Sequence, residues 1–181
     1  MPGKCLDSLQ LTKWIWENVK NSRILIITDR AELDEQIEEV FRGVDENIYR
    51  TASGRDLVHT LNKTDKWLIC SLVHKFGVSD NDELSDEDVD KFVEEIQKNM
   101  LSNFETKDDI YVFVDECHRT QSGKLHSAMK KILPNALFAG FTGTPLLKDD
   151  KLTSLEVFGP YIHTYKFDEA VMRWRGFGSA L

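Results

Sequence analysis

The stretch that decides the fold is IYVFVDECHR, which runs from Ile110 to Arg119. Its first half, Ile110–Val114, consists only of β-branched and aromatic residues, and such a run predicts a strand buried on both faces of a parallel sheet. Its second half begins with two adjacent carboxylates, Asp115 and Glu116. Because open α/β sheets bind ligands at the carboxyl ends of their strands, this pattern predicts a functional site at the two carboxylates.

These carboxylates suit the chemistry of phosphate groups. Asp115 can hold Mg²⁺, because this hard cation takes oxygen ligands and is usually shared between carboxylates and phosphates. Glu116 can orient or deprotonate a water molecule for attack on a phosphate. His118 can contact the phosphates or relay a change to another motif. The alternative interpretation is an acidic turn at a strand end, which is a common feature of proteins.

A second apolar run ends in a turn that carries two hydroxyl groups. Leu137–Gly140 leads into Phe141-Thr142-Gly143-Thr144-Pro145. Together with the acidic box, this turn resembles motifs II and III of a superfamily 2 helicase motor. Cys117 within the box and the tripeptide Thr28-Asp29-Arg30 narrow the resemblance to the motor (R) subunit of type I restriction enzymes. These enzymes are ATP-driven DNA translocases joined to a nuclease, and the resemblance covers nearly all of Gly3–Val171.

The resemblance implies a three-layer α/β lobe of the RecA-like (P-loop NTPase) type with a mostly parallel sheet. This lobe would span residues 1–171, and residues 172–181 would be a tail of unassigned role. ATP and Mg²⁺ would be the cofactors, with Asp115 as the Mg²⁺ ligand and Glu116 and His118 as further catalytic residues. A coupling motif would link hydrolysis to movement of the motor; it consists of Thr142, Gly143 and Thr144.

The start of the chain resembles an incomplete phosphate-binding loop. Gly3-Lys4-Cys5 leads towards a predicted helix, and the resemblance gives these three residues the role of nucleotide binding. A P-loop needs an earlier glycine and, after Lys4, a hydroxyl that binds Mg²⁺. Cys5 supplies a thiol, which is a poor ligand for a hard cation. The exchange Cys5→Ser alone is not expected to restore tight binding of Mg-ATP.

The parent enzyme implied by the resemblance is an ATP-dependent type I site-specific deoxyribonuclease. A motor of this class needs a second RecA lobe with an arginine finger, and its nuclease needs spaced acidic residues and a lysine on paired strands. Neither is visible in the sequence. The chain is therefore expected to be a fragment of a longer subunit and to hydrolyse no ATP above background.

Four residues at or shortly after the ends of predicted strands are candidates for DNA contact: Thr28, Arg30, Ser71 and Lys75. Hydroxyl groups and cationic side chains at strand ends are suitable donors to backbone phosphates. Asp29 can also cap the helix that follows, which would give this segment a structural role. The implied partners are double-stranded DNA and the modification (methyltransferase) and specificity subunits of a restriction complex.

Composition sets limits on the class of protein. The 181 residues are enough for one domain, and the 41% of hydrophobic residues fit a globular core. A net charge of −8 argues against a protein that simply coats DNA, although a motor can grip DNA through a few loops. The three cysteines have no paired spacing, which indicates reduced thiols and a cytoplasmic location. No apolar run approaches membrane-spanning length.

Strands alternate with helices along the chain, which predicts a parallel sheet with right-handed crossovers. The predicted strands are Arg23–Thr28, Lys66–Ser71, Ile110–Asp115, Ala136–Thr142 and, more weakly, Tyr161–Phe167. The predicted helices are Leu11–Val19, Ala31–Phe41, one that opens at Ser85 and carries its apolar stripe to Met100, and Lys124–Leu133.

In RecA-like lobes the strand before the P-loop lies beside the strand that ends in motif III. Here that neighbour would precede Met1, so Ala136–Thr142 is expected to be a bare apolar edge that lowers the stability of the chain.

Two other hypotheses remain open. The chain could be a motor lobe of another superfamily 2 helicase. It could also be a catalytically inactive fragment that acts only as a nucleotide- or protein-binding module.

Overall fold

The computed structural model describes residues 11–28, 48–73, 86–100, 104, 109–115, 117, 120–142, 157–160 and 162. Five strands form one sheet: β1 (Ser22–Thr28), β2 (Tyr49–Arg50), β3 (Leu68–Leu72), β4 (Asp109–Val114) and β5 (Leu137–Gly140). Three helices lie between them: α1 (Gly54–Leu61), α2 (Asp86–Asn99) and α3 (Thr120–Ile132). Residues 11–18 are also helical. The predicted α/β lobe is confirmed.

The sheet has the order β2-β3-β1-β4-β5, and every described pairing is parallel. The connections from β2 to β3, from β3 to β4 and from β4 to β5 all advance in the same direction across it. Right-handed crossovers therefore place α1, α2 and α3 on one face of the sheet. The main core cluster agrees, since Leu57, Phe92 and Met129 of the three helices pack with Leu25 and Val112 of the sheet.

The helical residues 11–18 cover the opposite face, so the sheet lies between two helical layers. Ile15 packs there with Ile24, Ile26 and Phe113. At the margin of this layer the ring of Trp16 stacks on that of Trp67, with 4.5 Å between the centroids and 21° between the planes. The three-layer architecture follows from these two apolar faces. No helix in the described part of the chain is long and apolar enough to cross a membrane.

Two elements were not predicted from the sequence. The strand β2 has only two residues, which is too short for a periodic signal. The helix α1 does carry signals: Ser53 caps it by accepting a hydrogen bond from the backbone N–H of Asp56, and one face is apolar. The predicted helix Ala31–Phe41 lies outside the described residues, as does the predicted strand Tyr161–Phe167 except for Ile162.

The strand β5 lies at an edge of the described sheet, where β4 is its only described partner. Leu137 is 62% exposed, whereas strands β1 and β3 are buried throughout. Phe138 and Phe141, which the sequence predicts to be poorly covered, are half-buried. The expected bare edge at this strand and its effect on stability both stay predictions.

Candidate functional site at the carboxyl edge of the sheet

The candidate site lies where β1, β4 and β5 end. The backbone N–H of Asp115 donates to the carbonyl oxygen of Ile27 at 3.1 Å, and the N–H of Phe141 donates to that of Val114 at 2.8 Å. These two bonds continue the parallel registers by one residue beyond each strand. Thr28, Asp115 and Phe141 therefore stand at the same level, side by side, on the edge where open α/β sheets bind ligands.

Side-chain alternation decides the face on which Asp115 lies. Ile24 and Ile26 pack with Phe113 on the face that the helical residues 11–18 cover. Because side chains two residues apart share a face, Thr28 and Asp115 lie on that same face. Asp115 is half-buried, and its Oδ2 atom is buried. The carboxylate thus lies on the side of the sheet that carries the first helical segment of the chain.

A backbone hydrogen bond joins the acidic box to the start of motif III. The N–H of Cys117 donates to the carbonyl oxygen of Phe141 at 3.0 Å. We call Asp115 and Cys117 the acidic-box turn. The N–H of Phe141 also donates to the carbonyl oxygen of Val114, the residue before the turn. Both backbone polar groups of Phe141 are thus bonded to this part of the chain, and Thr142 follows directly. A displacement of the turn must therefore strain the backbone at Phe141.

A magnesium ion held by one carboxylate fits this arrangement. The described residues contain no cluster of three or more histidine, cysteine or acidic side chains that could hold a metal. Mg²⁺ does not require such a cluster in nucleotide sites, because it is commonly bound through one or two carboxylates together with substrate phosphates and water. The half-buried carboxylate of Asp115 at the ligand edge is a suitable oxygen donor of this kind.

The structure describes four of the predicted site residues: Thr28, Ser71, Asp115 and Thr142. It brings Thr28, Asp115 and Thr142 together at the ends of β1, β4 and β5. Ser71 lies one strand further out, at the end of β3. The other predicted site residues lie outside the described residues; they are Gly3, Lys4, Cys5, Arg30, Lys75, Glu116, His118, Gly143 and Thr144.

Two of the proposed DNA-contact hydroxyls are buried. Ser71 is fully buried, and its Oγ accepts a hydrogen bond of 3.0 Å from the hydroxyl of Thr51. Thr28 is 1% exposed, and its hydroxyl has no hydrogen-bond partner among the described residues. Neither hydroxyl is presented at the surface of this structure. Contact with a DNA phosphate would require a local rearrangement, and that role stays a prediction.

The buried hydroxyl of Thr28 leads to a prediction about stability. We expect Thr28→Val to raise the free energy of unfolding by about 1 kcal/mol, because a buried hydroxyl without a partner costs about 1–3 kcal/mol and valine has nearly the same shape. The same exchange at Thr51 should lower stability by about 1 kcal/mol, since it breaks the bond to Ser71. Urea unfolding of both variants measures the two changes in the free energy of unfolding, which should have opposite signs. A loss of stability in Thr28→Val would show that its hydroxyl has a partner.

Gly140 is a site residue that was not identified from the sequence. A Cβ atom built on Gly140 would lie 2.6 Å from Sγ of Cys117, 2.8 Å from its Cβ and 3.1 Å from Cγ of Phe158. Only a glycine leaves room for Cys117 to pack against the end of β5. The available signal was the glycine itself, because a glycine within a strand often marks a close approach of another part of the chain.

Comparisons with known proteins connect this site to a family. The family model for the SWI2/SNF2 ATPase matches residues 2–173. The putative type I restriction enzyme MjaIXP endonuclease subunit of Methanocaldococcus jannaschii is 34% identical over 147 residues, which cover 81% of this chain and 12% of the relative. The HindI endonuclease subunit of Haemophilus influenzae is 32% identical over 177 residues, with 84% of this chain and 14% of the relative covered.

A third relative covers more of the chain. The type I restriction enzyme SauCOLORF180P endonuclease subunit of Staphylococcus aureus is 28% identical over 176 residues, which cover 93% of this chain and 17% of the relative. The chain thus spans a small part of the length of each of these relatives. Because the family model matches nearly all of its residues, the chain belongs to the SWI2/SNF2 ATPase family, and its homologues include the endonuclease subunits of type I restriction enzymes.

Proposed function

We propose that this chain forms the first RecA-like lobe of the ATP-dependent DNA translocase motor of a type I restriction endonuclease subunit. The observation that carries the proposal is the acidic-box turn, which stands at the carboxyl edge of a parallel sheet and is bonded directly to the start of motif III. In the proposed motor, the phosphate site and the element that responds to it would therefore be in backbone contact. The homology to type I endonuclease subunits supports the same proposal.

In the proposed site, each residue has one task. Asp115 would hold Mg²⁺, which when bound would supply positive charge against the phosphate groups of ATP. Glu116 orients or deprotonates the attacking water, and Lys4 contacts phosphate. Thr142 and Thr144 transmit a change at the acidic-box turn to the rest of the motor. The bond between Cys117 and Phe141 gives this transmission a short path.

The proposed partners are duplex DNA and the modification and specificity subunits of a restriction complex in the cytoplasm. The formal net charge of −8 means that the chain as a whole repels DNA. DNA contact is therefore proposed to be local, through cationic side chains such as Arg30 and Lys75. Each such contact releases counterions, so its contribution must depend strongly on salt.

One feature favours a second candidate function, a module that binds nucleotide or protein without turnover. Cys5 occupies the position at which a P-loop has the hydroxyl that binds Mg²⁺. A thiol at that position weakens metal binding but leaves the backbone N–H groups of the loop able to contact phosphate. In this case the chain would still bind nucleotide, and it would lack affinity for duplex DNA.

Binding of fluorescent duplex DNA at low salt, followed by anisotropy, tests the proposed function. We expect measurable affinity that falls in Arg30→Ala, with the slope of log affinity against log salt reduced by about one. The matched control is Lys98→Ala, because Lys98 is an exposed cation in the last turn of α2. An absence of DNA binding would contradict the proposal and favour the nucleotide-binding module, and an equal loss in both variants would contradict the local contact proposed at Arg30.

A further inference from the structure

Three separate segments of the chain meet at Gly140. Cys117 comes from the acidic-box turn, Gly140 ends β5, and Phe158 belongs to the segment 157–160. The atoms nearest to the position that a Cβ of Gly140 would take belong to Cys117, at 2.6 and 2.8 Å, and to the ring of Phe158, at 3.1 Å. Cys117 is buried, and Phe158 packs against the same core cluster. The acidic-box turn therefore has an aromatic neighbour that no sequence motif assigns to it.

The ring of Phe158 is held by a second contact, on α3. Its centroid lies 5.1 Å from that of His126, whose ring in turn lies 4.7 Å from the ring of Phe138. Burial lowers the pKa of His126, and the nearby cation of Lys130 lowers it further, so the imidazole packs in its neutral form. His126 therefore acts here as an aromatic packing surface for Phe158.

The backbone after Phe158 fixes the direction of the chain. Gly159 has a φ of +81°, a conformation that side chains rarely adopt, and no atom lies within 4 Å of the position a Cβ would take. The glycine is thus required by backbone conformation rather than by space. Pro160 follows and restricts φ further. Phe158 is half-buried, whereas Pro160 is exposed, so the chain leaves the core directly after Phe158.

We infer that Phe158 is a positioning residue that holds the acidic-box turn against the end of β5. A backbone hydrogen bond joins Cys117 to Phe141, and both Cys117 and the ring of Phe158 lie within 3.1 Å of the position that a Cβ of Gly140 would take. In this proposal Phe158 acts by limiting the room available to Cys117 beside Gly140, not by touching substrate. The importance of this packing for phosphate chemistry rests on the proposed function, whereas the packing around Gly140 does not. Loss of the ring is therefore expected to loosen the acidic-box turn.

Residue-resolved amide hydrogen exchange on the full chain, without nucleotide, tests this inference. In Phe158→Ala we expect the N–H of Cys117 to exchange about tenfold faster, equivalent to about 1.4 kcal/mol of local opening. The N–H of Ile26, in the central strand β1, should change much less. Phe158→Leu should restore most of the protection, because leucine keeps an apolar side chain at this position.

The matched control is Phe104→Ala, since Phe104 packs against the same core cluster and is not among the atoms found at Gly140. Its loss should accelerate exchange evenly, without a selective effect on Cys117. Equal acceleration at Cys117 and Ile26 in Phe158→Ala, or selective exposure of Cys117 in Phe104→Ala, would overturn the inference. If Phe158→Ala does not fold, Phe158→Leu is compared with the wild-type chain instead. The inference then requires that Phe158→Leu lowers the protection of the Cys117 N–H partly and selectively.

The readout needs no ligand, so the two proposals fail in distinguishable ways. A chain that binds neither nucleotide nor DNA, yet shows selective opening at Cys117 in Phe158→Ala, refutes the proposed function and leaves the positioning role standing. A chain that binds both, with no selective opening, refutes the positioning role alone.

Discussion

Replacing Arg23 by methionine is expected to lower the free energy of unfolding by about 3–5 kcal/mol. Arg23 is 2% exposed, and its guanidinium donates from Nε to the carbonyl oxygen of Lys66 at 2.8 Å, from Nη1 to that of Leu61 at 2.9 Å and from Nη2 to that of Thr60 at 2.7 Å. These are carbonyl groups at and beyond the end of α1, where a helix carries negative partial charge; that of Thr60 also accepts from the N–H of Lys63 at 3.2 Å. Methionine would leave all three without this donor.

Urea unfolding measures the effect, and two variants serve as controls. Arg23→Lys keeps the charge but not the planar fork that reaches three acceptors, so an intermediate loss is expected. Arg55→Met changes an exposed arginine of α1 and should stay within about 0.5 kcal/mol of the wild type. If Arg23→Met costs no more than Arg55→Met, the guanidinium does not hold the end of α1 to the sheet.

The second large effect is expected at Gly140. Gly140→Ala should destabilise the chain by about 1–3 kcal/mol or more, because its Cβ would overlap Sγ and Cβ of Cys117 at 2.6 and 2.8 Å. The strain falls on the acidic-box turn, so the N–H of Cys117 should lose protection as well. Cys117→Gly in the same chain removes both overlapping atoms and should recover much of the loss, whereas Cys117→Ala removes only the sulfur.

Gly54→Ala is the matched control for this exchange. The three atoms nearest to a Cβ there all belong to the side chain of Glu95, each at 3.2 Å, and the outer two can move. Alanine is also the better helix former, so Gly54→Ala should cost far less than Gly140→Ala. Thermal melts of the two single variants and of Gly140→Ala/Cys117→Gly give the comparison. Equal costs at the two glycines, or no recovery in the double variant, would show that the packing at Gly140 is loose.

The acidic box and its surroundings could be predicted because the signals are local. An apolar run such as Ile110–Val114 has few structural alternatives once two carboxylates follow it, and the structure places that run inside a parallel sheet, between β1 and β5. The strand that ends at Gly140 carries the same kind of signal, and the structure pairs it with β4. Helices with a continuous apolar stripe, such as α2, were predicted for the same physical reason.

Contacts between distant segments could not be predicted from periodicity. The role of Gly140 depends on Cys117 and Phe158, which reach it from other parts of the chain. Ser71 carries a hydroxyl at a strand end, but the short strand β2 places Thr51 beside it and buries both groups. A two-residue strand has no period to detect, so the burial of Ser71 follows only from the folded sheet.

Metal-dependent binding of a fluorescent ATP analogue tests whether Asp115 holds a metal ion together with a nucleotide, as proposed. Anisotropy is measured at millimolar nucleotide in Mg²⁺ and in EDTA. The control is Asp109→Asn, because Asp109 is an exposed carboxylate at the opposite end of the same strand. We predict Mg²⁺-dependent binding that weakens about tenfold or more, equivalent to about 1.4 kcal/mol, in Asp115→Asn and is unchanged in Asp109→Asn. Binding that does not depend on Mg²⁺, or Mg²⁺-dependent binding that survives Asp115→Asn, would contradict the metal-binding role proposed for Asp115.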